Sequence, residues 1–556
     1  MRGTSTSPNE LAQPDDALWY RDCKDGCGNW GHDMARFWLK LGLLLMLVAV
    51  PAGARAEKVL RVVPHADLKI VDPYTTTATI TLMHGQMIYD QLFAWNSKLE
   101  PKPQMVDHYE ISPDRLVYTF TLRPSLKFHD GQPVTTRDVI ASLKRWMVRD
   151  VLGQAMSPFV EEFQAVDNKI FVLRLKEPFG FVETALAISA GTAPVIMREK
   201  DAATDPFKNI SETIGSGPFK FVAAEWNPGA KTVYEKNQDY VPRSDPPDGN
   251  AGAKIAKVDR VEWIVLPDPF TKSSAIQRGE VDIIDALPND QIPVLEKSKD
   301  IVLDRTSSLA SIGYIRPNHL YPPFDNPKAR QALALAVSQE EYLSAAFGDE
   351  RWWRACYSFF VCGSPNETEA GSQPYQKQDL ARAKALLAES GYKGEKVTLI
   401  NTHEIASIGA LGDVTANNLK KLGINVEIAD SDWGTLVARR AKKEPPDKGG
   451  WNIFHTTSGG ASVHSPVTNF TIDSGCGHTN WFGWPCDEPT EKLRRAYLVA
   501  PDETARRAAL VALHQRLWEA LPTIPIGQYV TPYAARSNVH GILKSTPIVF
   551  WNIDKD

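Results

Sequence analysis

Three histidines, His455, His464 and His478, fall near one another in a stretch rich in Gly and Ser. Imidazole is the commonest metal ligand, so this stretch is a candidate for holding a metal or a metal chelate; histidines in loops are also ordinary polar residues. Nucleophilic and phosphate chemistry has less footing. The chain carries no GxSxG elbow, no HExxH and no GxxxxGK. Gly215-Ser216-Gly217 lacks the Lys-Ser/Thr that completes a phosphate loop and reads as a backbone turn. A secreted hydrolase therefore stands only as an alternative to a binding protein.

Where the chain is sent bears on its cysteines. From Met34 the sequence has a basic lead with Arg36 and Lys40, an apolar run from Leu41 to Val50, and Ala54-Arg55-Ala56 before Glu57. These are the three parts of a secretory signal, with small residues at the first and third positions before the cut. A membrane span needs about 20 apolar residues, and Pro51 and Arg55 interrupt this run. The expectation is a signal peptide over 34–56, a mature chain that begins at Glu57, and a polar extension over 1–33 that precedes the true start. Glu57 carries no thiol for a lipid anchor, which favours a soluble protein retained in a periplasm.

Four cysteines follow the cut: Cys356, Cys362, Cys476 and Cys486. In an oxidising compartment two close pairs read as two local disulfides, Cys356 with Cys362 and Cys476 with Cys486, among the three connectivities that four cysteines allow. Zinc is the rival reading, but the spacings are not those of CxxC pairs.

About 500 mature residues exceed one core, so two or three domains are expected. The net charge of -5 offers no basic face for nucleic acid or anionic lipid. There are 15 Trp, several outside evident helices, which suggests an apolar-lined cleft. Strand-like runs such as "YTFTLRPSLKFHDG", "VDRVEWIVLP", "KVTLI" and "INVEIAD" alternate with helices. Thr135 with Asp138 forms a capping-box pattern ahead of a helix that presents Val139, Leu143 and Trp146 on one face. Further helices are expected from Asp325 or Asn326 to Gly348, from Asp379 to Gly391, and from Asp502 to Pro522, the last with Leu510, Leu513, Leu517 and Leu521 on one stripe. The class is α/β with mixed sheets flanked by helices. Stretches 242–253 and 442–450 have the composition of linkers.

"LKFHDGQPVTTRDVIASLKRW" resembles the signature of bacterial extracellular solute-binding proteins of family 5, the peptide, nickel and opine binding group of ABC importers. "IGSGPFKF", "RGEVDIID", "PPFDNPKARQALALAV", "DLARAKALLAESGY" and "NNLKKLGINVEI" match in the same order, and the resemblance covers nearly all of the mature chain. It implies a two-lobed periplasmic binding protein fold of the large three-domain type. Lobe I would combine 57–89, 206–310 and 516–556, a small domain would be inserted over 90–205, and lobe II would cover 311–515. Such a monomer has no chemistry to perform and no cofactor: it closes on a peptide or another polar solute and delivers it to permease subunits in the inner membrane. A metal-chelate or opine receptor is the alternative within the family.

A water-excluding cleft for such a solute needs aromatic walls and fixed polar groups. The candidates are Tyr314 and Arg316, Trp433, the run His455, Thr456, Thr457 and Ser458, and Trp481 with Phe482. Two positions depart from the family pattern. Ser338-Gln339 replaces a frequent Asp-Arg, and the loop of "WNIFHTTSGGASVHSP" lacks the Asp that pairs with a peptide's amino terminus in many relatives. A ligand neutral or anionic at that end is therefore expected, with Arg316 as the partner of an acid group.

Overall fold

The computed structural model describes residues 57–556 apart from 308, 478, 479 and 501. The expected signal segment, the extension before it and His478 lie outside the described residues.

Two large mixed sheets organise the chain. The first has seven strands in the order Ile301–Asp304, Tyr533–Arg536, Ile283–Ile284, Val59–Val63, Arg260–Ile264, Lys231–Lys236 and Phe219–Phe221. Its centre, Val59–Val63, runs parallel to both neighbours and contributes the buried Leu60, Val62 and Val63. The second sheet has six strands in the order Trp353–Arg354, Ile524–Tyr529, Ser311–Pro317, Ile453–Ser458, Val397–Asn401 and Val426–Asp430. All five residues of Val397–Asn401 are buried, as fits a central parallel strand covered on both faces.

The chain passes from the first sheet to the second between Asp304 and Ser311, and returns between Tyr529 and Tyr533. The boundary expected at 515/516 is therefore too early. Helix Glu503–Ala520 runs through it unbroken, and Ile524–Tyr529 pairs with Ser311–Pro317 inside the second sheet. Tertiary pairing, invisible in local pattern, places that crossing.

A smaller four-stranded antiparallel sheet, in the order Val106–Ile111, Val117–Leu122, Ile170–Leu175 and Val160–Ala165, is covered by helix Thr136–Arg149. Asp138 closes the start of this helix by accepting the Thr135 N–H at 2.8 Å. Val139, Leu143 and Trp146 are fully buried on its inner face, each side chain worth about 1.5–3 kcal/mol of hydrophobic stabilisation.

The helix expected from 325 to 348 is two helices, Pro327–Leu335 and Gln339–Phe347. Ser338 is extended there and its hydroxyl accepts the Glu341 N–H, so a second N-cap interrupts what periodicity alone joined. Gln339 serves the fold: its amide donates to the carbonyls of Cys356 and Pro525 and accepts from the Cys356 N–H. Asp379 and Asp502 cap the later helices as expected.

The cysteines pair locally, Cys356 with Cys362 and Cys476 with Cys486. Non-reducing digestion should yield peptides joined across each pair and no alkylatable thiol at these four positions. Free thiol at any of the four would count against this pairing.

Candidate functional site

A cavity of about 860 Å³ lies between the two large sheets. Both crossing segments line it, with Arg305 to Ser307 on one and Tyr529 to Thr531 on the other. Its walls come from opposite sides of the molecule: His65, Thr77, Lys272 and Asp285 from the first sheet's elements, and Glu404, Trp433, Arg440 and Trp481 from the second's. Loops at the carboxyl ends of parallel strands form much of these walls, the usual position of ligand crevices in open α/β sheets. Glu404 follows Val397–Asn401 and Asp285 follows Ile283–Ile284.

Contacts across the cavity hold the two sides together. Trp481 Nε1 donates to Thr77 Oγ1 at 3.1 Å, Arg440 Nη2 donates to Thr76 Oγ1 at 3.3 Å, and Lys69 pairs with Asp432. Arg440 ends helix Trp433–Arg440, where the carbonyl end of the helix favours a cation. Its guanidinium lies 4.8 Å from the ring centroid of Phe482, 5.6 Å from that of Trp433 and 5.8 Å from that of Phe454. The side chain is buried, its Nε has no hydrogen-bond partner, and none of the ion pairs among the described residues includes it. Burial pulls its pKa down to about 9.

Lys272 stands on the opposite wall, 7 % exposed. Burial lowers its pKa, and Glu404, then Asp285, act against that shift. Both carboxylates are anchored elsewhere: Asp285 Oδ2 lies 2.6 Å from His65 Nδ1, and Glu404 Oε2 accepts the Trp433 N–H at 2.7 Å.

Of the residues expected from sequence, Trp433, Thr456, Thr457, Ser458 and Trp481 line this cavity. Phe482 lines an adjoining one of about 250 Å³ that shares Thr77 and Trp481 with it. Tyr314, Arg316 and His455 lie in the core behind the wall, each fully buried. Arg316 donates to four backbone carbonyls, those of Phe482 (2.5 Å), Pro522 (2.7 Å), Thr471 (2.8 Å) and Trp481 (3.1 Å). Its donors are spent inside the second lobe, so the acid partner expected of it is not found there. His455 Nε2 meets Thr415 Oγ1 at 2.8 Å, and burial drops its pKa to about 3, which leaves a neutral core imidazole.

His464 Nδ1 is bonded to the Ala461 carbonyl at 2.8 Å, and among the described residues no group of three or more His, Cys, Asp or Glu could hold a metal ion. The 455–464 segment has no carboxylate, as expected, but the cavity has Glu404 and Asp285 from other loops. Lys272, Glu404 and Arg440 were missed in sequence. One signal was available for the last: Trp433 and Arg440, seven apart on one helix, share a face.

The sequence profile of the bacterial extracellular solute-binding proteins, family 5, matches residues 100–481. The chain is 37% identical over 514 residues to the probable peptide ABC transporter periplasmic-binding protein y4tO of Sinorhizobium fredii, covering 92% of this chain and 96% of that one. It is 29% identical over 431 residues to the glutathione-binding protein GsiB of Pectobacterium atrosepticum, covering 76% and 78% respectively. In fold it is similar to the periplasmic binding protein AgaA of A. tumefaciens R10 in complex with agropinic acid, with a TM-score of 0.74 at 23% identity over 90% of this chain and 99% of that chain. It is similar also to DppA of Helicobacter pylori in complex with the peptide STSA, with a TM-score of 0.74 at 22% identity over 90% and 98%. Among the described residues no helix is long and apolar enough to cross a membrane. The two-lobed chain belongs to the bacterial extracellular solute-binding proteins of family 5, and is the solute-binding subunit of an ABC importer.

Proposed function

We propose that the chain captures a short peptide or a related polar organic acid between its lobes in the periplasm, with Arg440 receiving an acid group of the solute, and hands it to the permease unaltered. The observation that carries this reading is the buried guanidinium at the cavity wall with no carboxylate of its own. A charge taken from water and left unpaired costs several kcal/mol, and a solute carboxylate supplies both the countercharge and the missing acceptors. Trp433 and Trp481 would flank the solute, and Thr456 to Ser458 would offer it hydroxyl and backbone groups. The relatives named for peptides and glutathione, 37% and 29% identical, agree with this solute class.

A thermal-shift panel of short peptides, each as free acid and as carboxamide, tests the reading. Free acids should raise the melting temperature and their amides should not. Equal stabilisation by both forms would remove the role given to Arg440, and turnover of any probe would favour a hydrolase.

Export rests on the sequence pattern at 34–56. A gene started at Met34 should be secreted as well as the full chain, and N-terminal sequencing of the periplasmic protein should read Glu-Lys-Val-Leu from Glu57. A secreted chain that keeps Met1 would contradict it.

A further inference from the structure

Lys272 presents a second anomaly on the wall facing Arg440's. Its ammonium can donate three hydrogen bonds, and none of its donors is matched by a hydrogen bond or an ion pair among the described residues, although the side chain is more than nine-tenths buried. The carboxylates of Glu404 and Asp285 act on it through space but stand beyond ion-pair distance. Asp285 shares the first lobe with Lys272 and has its Oδ2 on His65, so a solute held by this pair alone would not span the cleft. Glu404 comes from the opposite lobe, and only its Oε2 is engaged, by the Trp433 N–H that pins the carboxylate in place. Oε1 therefore remains for an outside donor.

A lone anion beside Lys272 would meet repulsion from Glu404 and Asp285, and a lone cation beside Glu404 would meet repulsion from Lys272. A group that carries both charges close together satisfies the two at once. Deepening the solute-capture reading above, on which it rests, we propose that Lys272 and Glu404 together receive a zwitterionic amino-acid head of the solute. Its carboxylate lies on the Lys272 ammonium and its ammonium on Glu404 Oε1. Arg440 takes a further acid group, so the solute class is one with a free α-amino-acid head and a second acid, as in γ-glutamyl peptides. Because Lys272 and Glu404 belong to different lobes, the head group bridges them and favours the closed form.

The test uses the mature protein with four probes: γ-glutamylglycine, its N-acetyl derivative, its α-carboxamide, and glycylglycine, whose charges sit at opposite ends. Titration calorimetry should show binding of the first, and weakening by roughly 30-fold or more for each blocked form and for Lys272→Met or Glu404→Gln with the unblocked probe. Equal affinity for blocked and unblocked forms, or variants that bind as the parent does, would overturn the assignment. Melting of the probe-free proteins gives an independent readout. Lys272→Met removes a charge that no hydrogen bond or ion pair of the described residues uses and keeps the apolar stem that is packed in the wall, so it should melt no lower than the parent, whereas a drop of several degrees would mean that the ammonium serves the fold and would end the proposal. If the parent binds none of the probes and carries no small molecule from the periplasm, the solute-capture reading fails, and the melting comparison still judges Lys272.

Discussion

Arg440→Met should weaken solute binding by about 2–5 kcal/mol, some 30-fold to several thousand-fold, while leaving the empty protein folded. The loss follows from the surroundings of the guanidinium. Its neighbours are three aromatic faces and one threonine hydroxyl, so a solute carboxylate bound there loses its only countercharge when the side chain becomes a thioether. Met nearly conserves volume and removes the unpartnered Nε, so the truncation leaves no large void and no orphaned donor. Arg440→Lys separates charge from geometry: an ammonium keeps the charge but loses the planar fork, and intermediate affinity is expected. The check is calorimetry with the tightest free-acid peptide of the panel. Unchanged affinity in Arg440→Met would show that the guanidinium does not meet the solute.

The second large effect is loss of stability in acid. His84 and His455 are held neutral by burial with pKa values of about 3, and His129 and His514 with values of about 4. Each is depressed below the ordinary value of about 6.5 that an unfolded chain shows. Above about pH 6.5 neither state is charged at these sites and their contribution is complete. As pH falls toward 4 the unfolded chain takes up protons that the folded chain cannot, and stability declines. Between pH 6.5, where the unfolded imidazole is already half protonated, and pH 4.5 each histidine loses about 2 kcal/mol, roughly 8–9 kcal/mol for four. Asp150 and Asp473 act in the opposite sense, since burial raises both to about 6 and their protonation favours the fold as pH falls. These two return less than half of the loss, and His319 and His464, also lowered by burial, add to it, so the decline between pH 6.5 and 4.5 is about 5 kcal/mol or more. For a chain of this size that corresponds to roughly 5 °C in melting temperature. Thermal melts of the solute-free protein at the two pH values check it, and a flat or rising midpoint would contradict the assignment of four neutral core histidines.

Much of the fold could be read from the chain because its signals are local. The capping pair Thr135 and Asp138, the face of Val139, Leu143 and Trp146, and the caps at Asp379 and Asp502 each depend on residues within a few turns. The break at Ser338 and the late crossing at 530–532 depend on pairing with distant strands, which periodicity does not report. The site shows the same division. Trp433, Trp481 and the polar run Thr456 to Ser458 stand out by residue type, and they line the cavity. Arg316 and His455 stand out equally by type, yet they point to opposite faces of the second sheet and are covered on both, where four carbonyls consume the guanidinium and a threonine holds the imidazole. Lys272 and Glu404 sit in stretches that look like ordinary helix surface and ordinary loop. What marks them is an unpaired ammonium and a half-used carboxylate facing one space, a relation that exists only after the lobes are assembled.

Solute capture is tested most directly by native mass spectrometry of the protein taken from its own periplasm without denaturation. The expected spectrum shows the mature chain carrying one small molecule per monomer, released intact on unfolding and bearing at least one acid group. A chain that remains bare, both as isolated and after exposure to periplasmic extract, would contradict the account.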